Sequence, residues 1–235
     1  MGAYEAVEDA TYVAARQGRE LTFKRHLDAL EKKIGAANGR FLLDVGAYIG
    51  VFVEIASASG WNALGVEPSE WAAAEAQAQG INVIYGTQDA PQLQEQQFDV
   101  ITMWDVIEHV NDPSAEMAKA YRLLKPGGWL IVHTMDIDSR AARLLGARWP
   151  WLMDMHIHYF SDGTMGQMLE KNGFNVAWSG AQGRYSTMGY LATRVQAFNN
   201  PLGRVAISLV RGLRLEETAV SINMGDLFTA YAQKR

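Results

Sequence analysis

The chain has 235 residues, 49% apolar and 20% charged, with no cysteine. These values suit a globular α/β domain with additions and exclude disulfides, thiolate metal sites and a cysteine nucleophile. Residues 41–184 carry 8 Lys/Arg against 17 Asp/Glu, a net of −9, and such an acidic centre argues against a nucleic-acid partner, whose phosphates are held by Lys and Arg.

The opening "MGAYEAVEDATY" has neither a basic start nor an apolar stretch, which predicts no targeting segment and a cytoplasmic protein. From Ala3 to Ile34, Val7, Tyr12, Leu21, Leu27, Leu30 and Ile34 recur at helical spacing. Two helices are expected there, with Gly18 as a break and His26 solvated. "FLLDV" reads as a strand covered on both faces, "VFVEIASASG" as a helix, and "WNALGVEPS" as a strand ending at Glu67. Ser69 caps the helix "EWAAAEAQAQ", "INVIYG" is a third strand and "FDVITMWD" a fourth. "PSAEMAKAYRLL" is helical, "KPGG" a turn and "WLIVHTMD" a fifth strand. Strand and helix alternate throughout, which predicts right-handed crossovers and a mostly parallel, doubly wound, Rossmann-like sheet with helices on both faces.

After Asp136 the pattern loosens into a helix broken before Pro150 and a short extended "HIHYF". Ser161 then caps another helix, "FNVAWSG" is a sixth strand, and "LFTAYAQKR" reads as a terminal strand. The expected organisation is an N-terminal helical cap over residues 1–40, a core over 41–184, a helical insertion over 185–224, and a strand over 225–235 that completes the core sheet. The insertion includes "PLGRVAISLVRGLRL", too short for a bilayer span and interrupted by Arg204, Arg211 and Arg214. With Tyr185, Tyr190 and its arginines it could cover an acceptor, form a homodimer contact or lie on a membrane surface.

Ligands of doubly wound sheets sit at the carboxyl ends of the strands, which places Asp44 to Gly50, Glu67 and Asp105 along one crevice. Counted from Gly46, the dinucleotide fingerprint G-x-G-x-x-G would need glycines where Tyr48 and Val51 stand. The missing middle glycine disfavours a pyrophosphate ligand such as NAD and leaves room for S-adenosylmethionine, with Glu67 placed to accept ribose hydroxyls.

"LLDVGAYIG", "GVEPS", "FDVITMWDVIEHVNDP", "LLKPGG" and "HIHYFSDGTMGQMLEKNGF" occur in the order and spacing of class I S-adenosylmethionine-dependent methyltransferases. The chain resembles the branch that includes ubiquinone-biosynthesis O-methyltransferases. The resemblance implies that Asp44, Gly46, Ala47, Tyr48 and Gly50 surround the methionine end and that Glu67 holds ribose. It further implies that Gln88 or Asp89 lies beside adenine, and that Met103, Trp104 and Asp105 close the pocket.

Each residue also has a plainer reading. Asp44 and Glu67 serve equally as helix caps, and Trp104 as core packing. Asp105, Glu108 and His109 have the spacing of one helix face; a divalent ion is one reading, while capping and local hydrogen bonds are the reading adopted, with no metal assigned. His156 and His158 alternate along an extended segment, and either is a candidate general base, with His133 a third. The expected activity is transfer of a methyl group from S-adenosylmethionine to a small-molecule acceptor, a hydroxyl of a sugar or natural-product-like compound. An NAD-dependent oxidoreductase and a non-catalytic cofactor-binding module are the alternatives.

Overall fold

The computed structural model describes residues 16–235, so Val7 and Tyr12, and with them the first expected helix, lie outside the described residues. The described residues divide into two compact units, one of residues 30–182 with 223–235, the other of residues 16–29 with 183–222.

The larger unit is built on a seven-stranded sheet in the order β3-β2-β1-β4-β5-β9-β6. Strands β1 (Phe41–Val45), β2 (Asn62–Glu67), β3 (Val83–Tyr85), β4 (Phe98–Trp104) and β5 (Leu124–Met135) pair in parallel. The last strand, β9 (Leu227–Lys234), inserts antiparallel between β5 and β6 (Phe174–Ala181). Leu42, Leu43, Asp44 and Val45 are all buried, as a parallel strand covered by helices on both faces requires. The adjacent β1 and β4 diverge from opposite crossovers, and such a switch point opens a crevice at their carboxyl ends.

Local chemistry sets the helix starts. Ser69 Oγ accepts from Ala72 N ahead of α3 (Glu70–Ala78), and Ser161 with Thr164 forms a reciprocal capping box ahead of α6 (Asp162–Lys171). α2 (Val51–Ala58) follows Gly50 directly. α4 (Pro113–Leu123) begins where Asp112 accepts from Ala115 N and Pro113 takes a first-turn position. The helix therefore starts beyond Asp105, Glu108 and His109, which lie in turns instead of along one helix face. "KPGG" also departs from expectation: it lies within β5, because Leu124 already pairs with Phe98 and the register is irregular only between Phe98 and Val100. The helix expected before Pro150 is a short α5 (Arg140–Leu145) and a 3₁₀ turn, and "HIHYF" is irregular apart from one bridge, Phe160 to Asp136.

In the smaller unit, α1 (Arg16–Ile34, its last residues in the larger unit) runs unbroken through Gly18, since one helical glycine costs only ~1 kcal/mol. Thr22 Oγ1 donates to Gly18 O at 2.7 Å and accepts from Tyr185 N at 2.8 Å. His26 is buried rather than solvated, with Nε2 3.4 Å from Gly183 O. The insertion is a two-stranded antiparallel ribbon, β7 (Arg184–Thr187) with β8 (Ala219–Ile222), enclosing α7 (Met188–Phe198) and α8 (Asn200–Gly212).

Candidate cofactor and acceptor site

The loop after β1 is shaped by two glycines and one tyrosine. Gly46 and Gly50 have φ of 71° and 79°, the left-handed region that glycine enters without strain. A Cβ on Gly46 would lie 2.7 Å from Val106 Cγ2, and one on Gly50 would lie 2.7 Å from Ile81 Cγ2. Tyr48 also adopts positive φ, at 50°. Its backbone N–H donates to Glu67 Oε2 at 2.7 Å, while Ser69 N donates to Oε1 at 2.8 Å. That amide is spent on a carboxylate, so it is not aimed outward as a dinucleotide loop aims its amides at a pyrophosphate. The Tyr48 ring lies 6.0 Å from that of Trp71.

Asp44 is buried at the end of β1, where Thr102 Oγ1 donates to its Oδ1 at 2.6 Å. Burial pushes its carboxyl up to about 7, with Glu67 adding to the rise and the Thr102 hydroxyl opposing it. Glu67 is raised as well, mainly by burial, against the two amides that favour its charged form. Among the described residues, no Lys, Arg or His forms an ion pair with either acid.

Gln88 is buried; its Nε2 donates to Glu116 Oε2 at 2.7 Å, and its Oε1 has no hydrogen-bond partner. The neighbouring Asp89 is exposed and paired with Lys119 and Arg122. Ala47 is buried, and it requires glycine at position 65, where a Cβ would come 2.6 Å from its own. Met103 has no exposed surface and packs within the core. Trp104 is also buried, its ring 5.1 Å from Phe52 and 5.9 Å from His133. Asp105 has φ of 55°, its N–H bonds His133 O, and its carboxylate is 53% exposed, 4.0 Å from His133 Nε2. His133 itself is buried with Nδ1 2.8 Å from Thr229 Oγ1.

Beyond β4 a different trio assembles from the one the spacing suggested. Glu108, His109 and His156 bring one ligand-type atom each within 4.8 Å of one another. Two ligands on opposite sides of a single ion, each bonded at ~2.1 Å, stand ~4.2 Å apart, so this set would have to tighten to hold one. Glu108 is fully buried: Thr134 Oγ1 donates to Oε2 at 3.0 Å, Oε1 has no partner, and burial with the nearby Asp105 pushes its carboxyl up to about 8. Its carbonyl accepts from both Ile157 N and His158 N, which ties the histidine segment to this turn. His156 is buried, 4.8 Å ring to ring from His109, with Nδ1 2.7 Å from Trp151 O. Burial lowers its pKa, although the Trp151 carbonyl pulls the other way. His158 packs beside Phe160, and its buried Nε2 has no hydrogen-bond partner.

The residues present fit S-adenosylmethionine on two observations. A buried acid at the end of β1 has one neutral donor and room in its chemistry for a cation, such as the amino group of a methionine tail. Gln88 Oε1 is a buried acceptor lacking a donor, and the adenine amino group is a donor. Residues missed from sequence include Thr102, Gly65, Thr134 and Asp226; a threonine inside the apolar strand "VITMW" was the one visible signal among them.

Comparison with known proteins identifies the family and the fold. The sequence matches the family profile described as "Methyltransferase domain" over residues 14–177. It is 34% identical over 119 residues to the ubiquinone biosynthesis O-methyltransferase of Pseudomonas fluorescens, covering 48% of this chain and 51% of that protein. The Pseudomonas aeruginosa counterpart is 32% identical with the same coverage. The chain thus spans about half the length of the curated relatives it matches. Among solved structures, a Thermotoga maritima S-adenosylmethionine-dependent methyltransferase, described as a possible histamine N-methyltransferase, superposes with a TM-score of 0.64 at 23% identity, over 98% of this chain and 96% of that one. A Haemonchus contortus phosphoethanolamine N-methyltransferase 2, solved with S-adenosyl-L-methionine, gives 0.56 at 17% identity, over 89% and 52%. The fold is that of the S-adenosylmethionine-dependent methyltransferases on which the chain superposes. The chain belongs to the methyltransferase-domain family, and that assignment replaces the NAD-dependent alternative.

Proposed function

We propose that this chain methylates a hydroxyl oxygen of a small molecule, a sugar or a natural-product-like compound, with S-adenosylmethionine as donor. The observation that carries the choice of donor is the Tyr48 amide bonded to Glu67, which fixes an acid at the end of β2 and withdraws the loop amide from phosphate binding. In this reading Asp44 orients the cationic tail, the remaining edge of Glu67 accepts from ribose, and Gln88 Oε1 accepts from adenine. Gly46, Ala47, Tyr48 and Gly50 form the loop around the tail. Trp104 and Asp105 sit at the mouth, with Met103 packing beneath them. Asp89, held by Lys119 and Arg122, shapes the adenine end from outside.

The bound sulfonium supplies an electrophilic methyl group. His156 Nε2 accepts the proton of the acceptor hydroxyl, and His158 is the second candidate for that role. Support for oxygen comes from this imidazole and from the Pseudomonas relatives, which are named O-methyltransferases; the N-methyltransferase neighbours share the fold at below 25% identity. General-base help of this kind adds ~10²–10⁴-fold, whereas alignment of the reactants supplies ~7–11 kcal/mol, so positioning dominates.

The test is calorimetric titration with S-adenosylmethionine and with NAD, followed by labelled methyl transfer to matched hydroxyl and amine acceptor panels. Tight binding of S-adenosylmethionine alone, with label on the hydroxyl series, is expected. Binding of NAD alone overturns the donor, label on amines only overturns the acceptor atom, and cofactor binding with no transfer to any acceptor favours a non-catalytic module.

A further inference from the structure

We propose that α8 of the insertion lies along an anionic membrane surface. The chemistry of Asn199 to Leu215 carries this. Asn199 Oδ1 caps the helix by accepting from Leu202 N, and Pro201 stands in the first turn, so the start is fixed by its own residues. Within α8 the spacing of Leu202, Val205 and Leu209, continued by Leu213 one residue past its end, places four large aliphatics on one face. They are 57–65% exposed, which is unusual for four such side chains in one row. The face that packs is a different one: Gly203 is buried so close to α7 that a Cβ would come 2.0 Å from Gln196 Cα.

Charge chooses the occupant. Arg204 and Arg211 stand two turns apart on the polar face opposite the apolar row, Arg214 follows, and no Asp or Glu occurs from Asn200 to Leu215, in a chain whose overall net charge is −5. Glu216 reaches back to Arg211 at 3.1 Å, but both side chains are exposed and that pair is weak. Pairing of this helix with a second copy would leave the arginines with no acid in the segment to answer them. Anionic lipid headgroups answer all three, and the apolar row has the acyl boundary to enter. Thirteen residues extend ~20 Å, too short to cross ~30 Å of hydrocarbon, and no described helix is long and apolar enough to span a membrane. The helix therefore lies in the plane.

The experiment is co-sedimentation of the full chain with phosphatidylcholine vesicles, with and without phosphatidylglycerol. Pelleting with the anionic vesicles, weakened by salt, is expected. Leu209→Asp should reduce it more than ~10-fold and Arg204→Gln about fivefold, the latter corresponding to one basic contact at the surface. Both positions are exposed, and an unchanged circular dichroism melt confirms that the variants stay folded; Leu209→Gln serves if the aspartate does not. Absence of pelleting, pelleting indifferent to lipid charge, or equal pelleting of the Leu209 variants overturns the proposal. Concentration-dependent dimerisation lost in Leu209→Asp, without vesicle binding, also overturns it and assigns the face to a second copy.

Discussion

His156 Nδ1 stands 2.7 Å from the carbonyl oxygen of Trp151. A carbonyl only accepts, so Nδ1 carries the proton and Nε2 of the neutral ring is bare. Burial lowers the pKa of this histidine below its ordinary 6.5, which keeps the ring neutral at pH 7. A ring in that state has a free lone pair that can accept a proton.

That arrangement predicts the pH dependence of turnover. The rate should rise as pH climbs to a value below 6.5 and then stay level, because only the neutral ring accepts a proton. His156→Gln should lower kcat by ~10²–10⁴-fold, erase the acidic limb and leave cofactor affinity unchanged. Rate profiles of both proteins against pH, with any acceptor found by the labelling panel, check this. A preserved acidic limb in the variant would transfer the role to His158 or His133.

Asp44 gives a prediction that needs no acceptor. Its carboxyl sits at about 7 in the free protein, so it is largely protonated at pH 6.5. A cation bound beside it favours the carboxylate, and the proton leaves on binding. Calorimetry with S-adenosylmethionine in two buffers of different ionisation enthalpy should therefore show proton release of up to about one. Asp44→Asn should abolish the release and weaken binding by ~10–150-fold, the worth of a charge-assisted hydrogen bond. The free protein has a matching sign: between 3.8 and about 7 the folded state keeps a proton the unfolded chain gives up. Stability attributable to Asp44 falls as pH rises through that window, and Asp44→Asn should flatten the slope in urea titrations.

Tyr48 shows that a local irregularity in sequence carries a conformational constraint as well. As a departure from a glycine fingerprint it disfavours a pyrophosphate ligand, and the structure adds a backbone constraint: φ is 50°, where a non-glycine residue carries ~1–2 kcal/mol of strain. Tyr48→Gly relieves that strain and loses the half-buried ring, and the more flexible unfolded chain costs another ~0.5–1 kcal/mol. The changes nearly offset, so melting temperature should move by less than about 4 °C, and S-adenosylmethionine affinity should hold because the N–H to Glu67 survives. Tyr48→Pro removes that N–H and forbids the angle, and it should fail in both measurements. Differential scanning calorimetry with and without cofactor distinguishes the outcomes.

The strands and most helix starts were legible because each rests on neighbours in sequence: the apolar run of β1, Ser69 and Ser161 as caps, and alternation along the core. The two buried acids, Asp44 and Glu67, were legible as strand-end residues for the same reason. What stayed hidden depends on distant partners. The i, i+3, i+4 spacing of Asp105, Glu108 and His109 looks helical, yet Asp112 and Pro113 start the helix later, and His156, 47 positions beyond His109, completes the cluster instead. His26 reads as a polar residue on a charged helix, and only the return of the chain at Gly183 buries it. Thr102 and Asp44 meet across two strands whose register no local pattern encodes.

Asp226, just before β9, is such a distant partner and supports the strongest stability prediction. Its Oδ2 accepts from Trp149 Nε1 at 3.1 Å and from Trp151 Nε1 at 3.0 Å, and the carboxylate is buried. One oxygen thus fixes both tryptophans of "WPW", and the second of them presents the carbonyl that orients His156. Asp226→Asn keeps an amide oxygen with two lone pairs and should cost less than ~1 kcal/mol. Asp226→Ala leaves the buried Trp149 indole N–H without its acceptor, at ~1–3 kcal/mol, and takes one from the half-buried Trp151 indole at up to ~1 kcal/mol, so a loss of about 1–4 kcal/mol is expected in urea unfolding. The same variant should release the His156 ring, which nitrogen-detected NMR would register as a shift from the Nδ1–H tautomer to a mixture. Asparagine should preserve that signal; if alanine preserves it too, the clamp holds the tryptophans without governing the base.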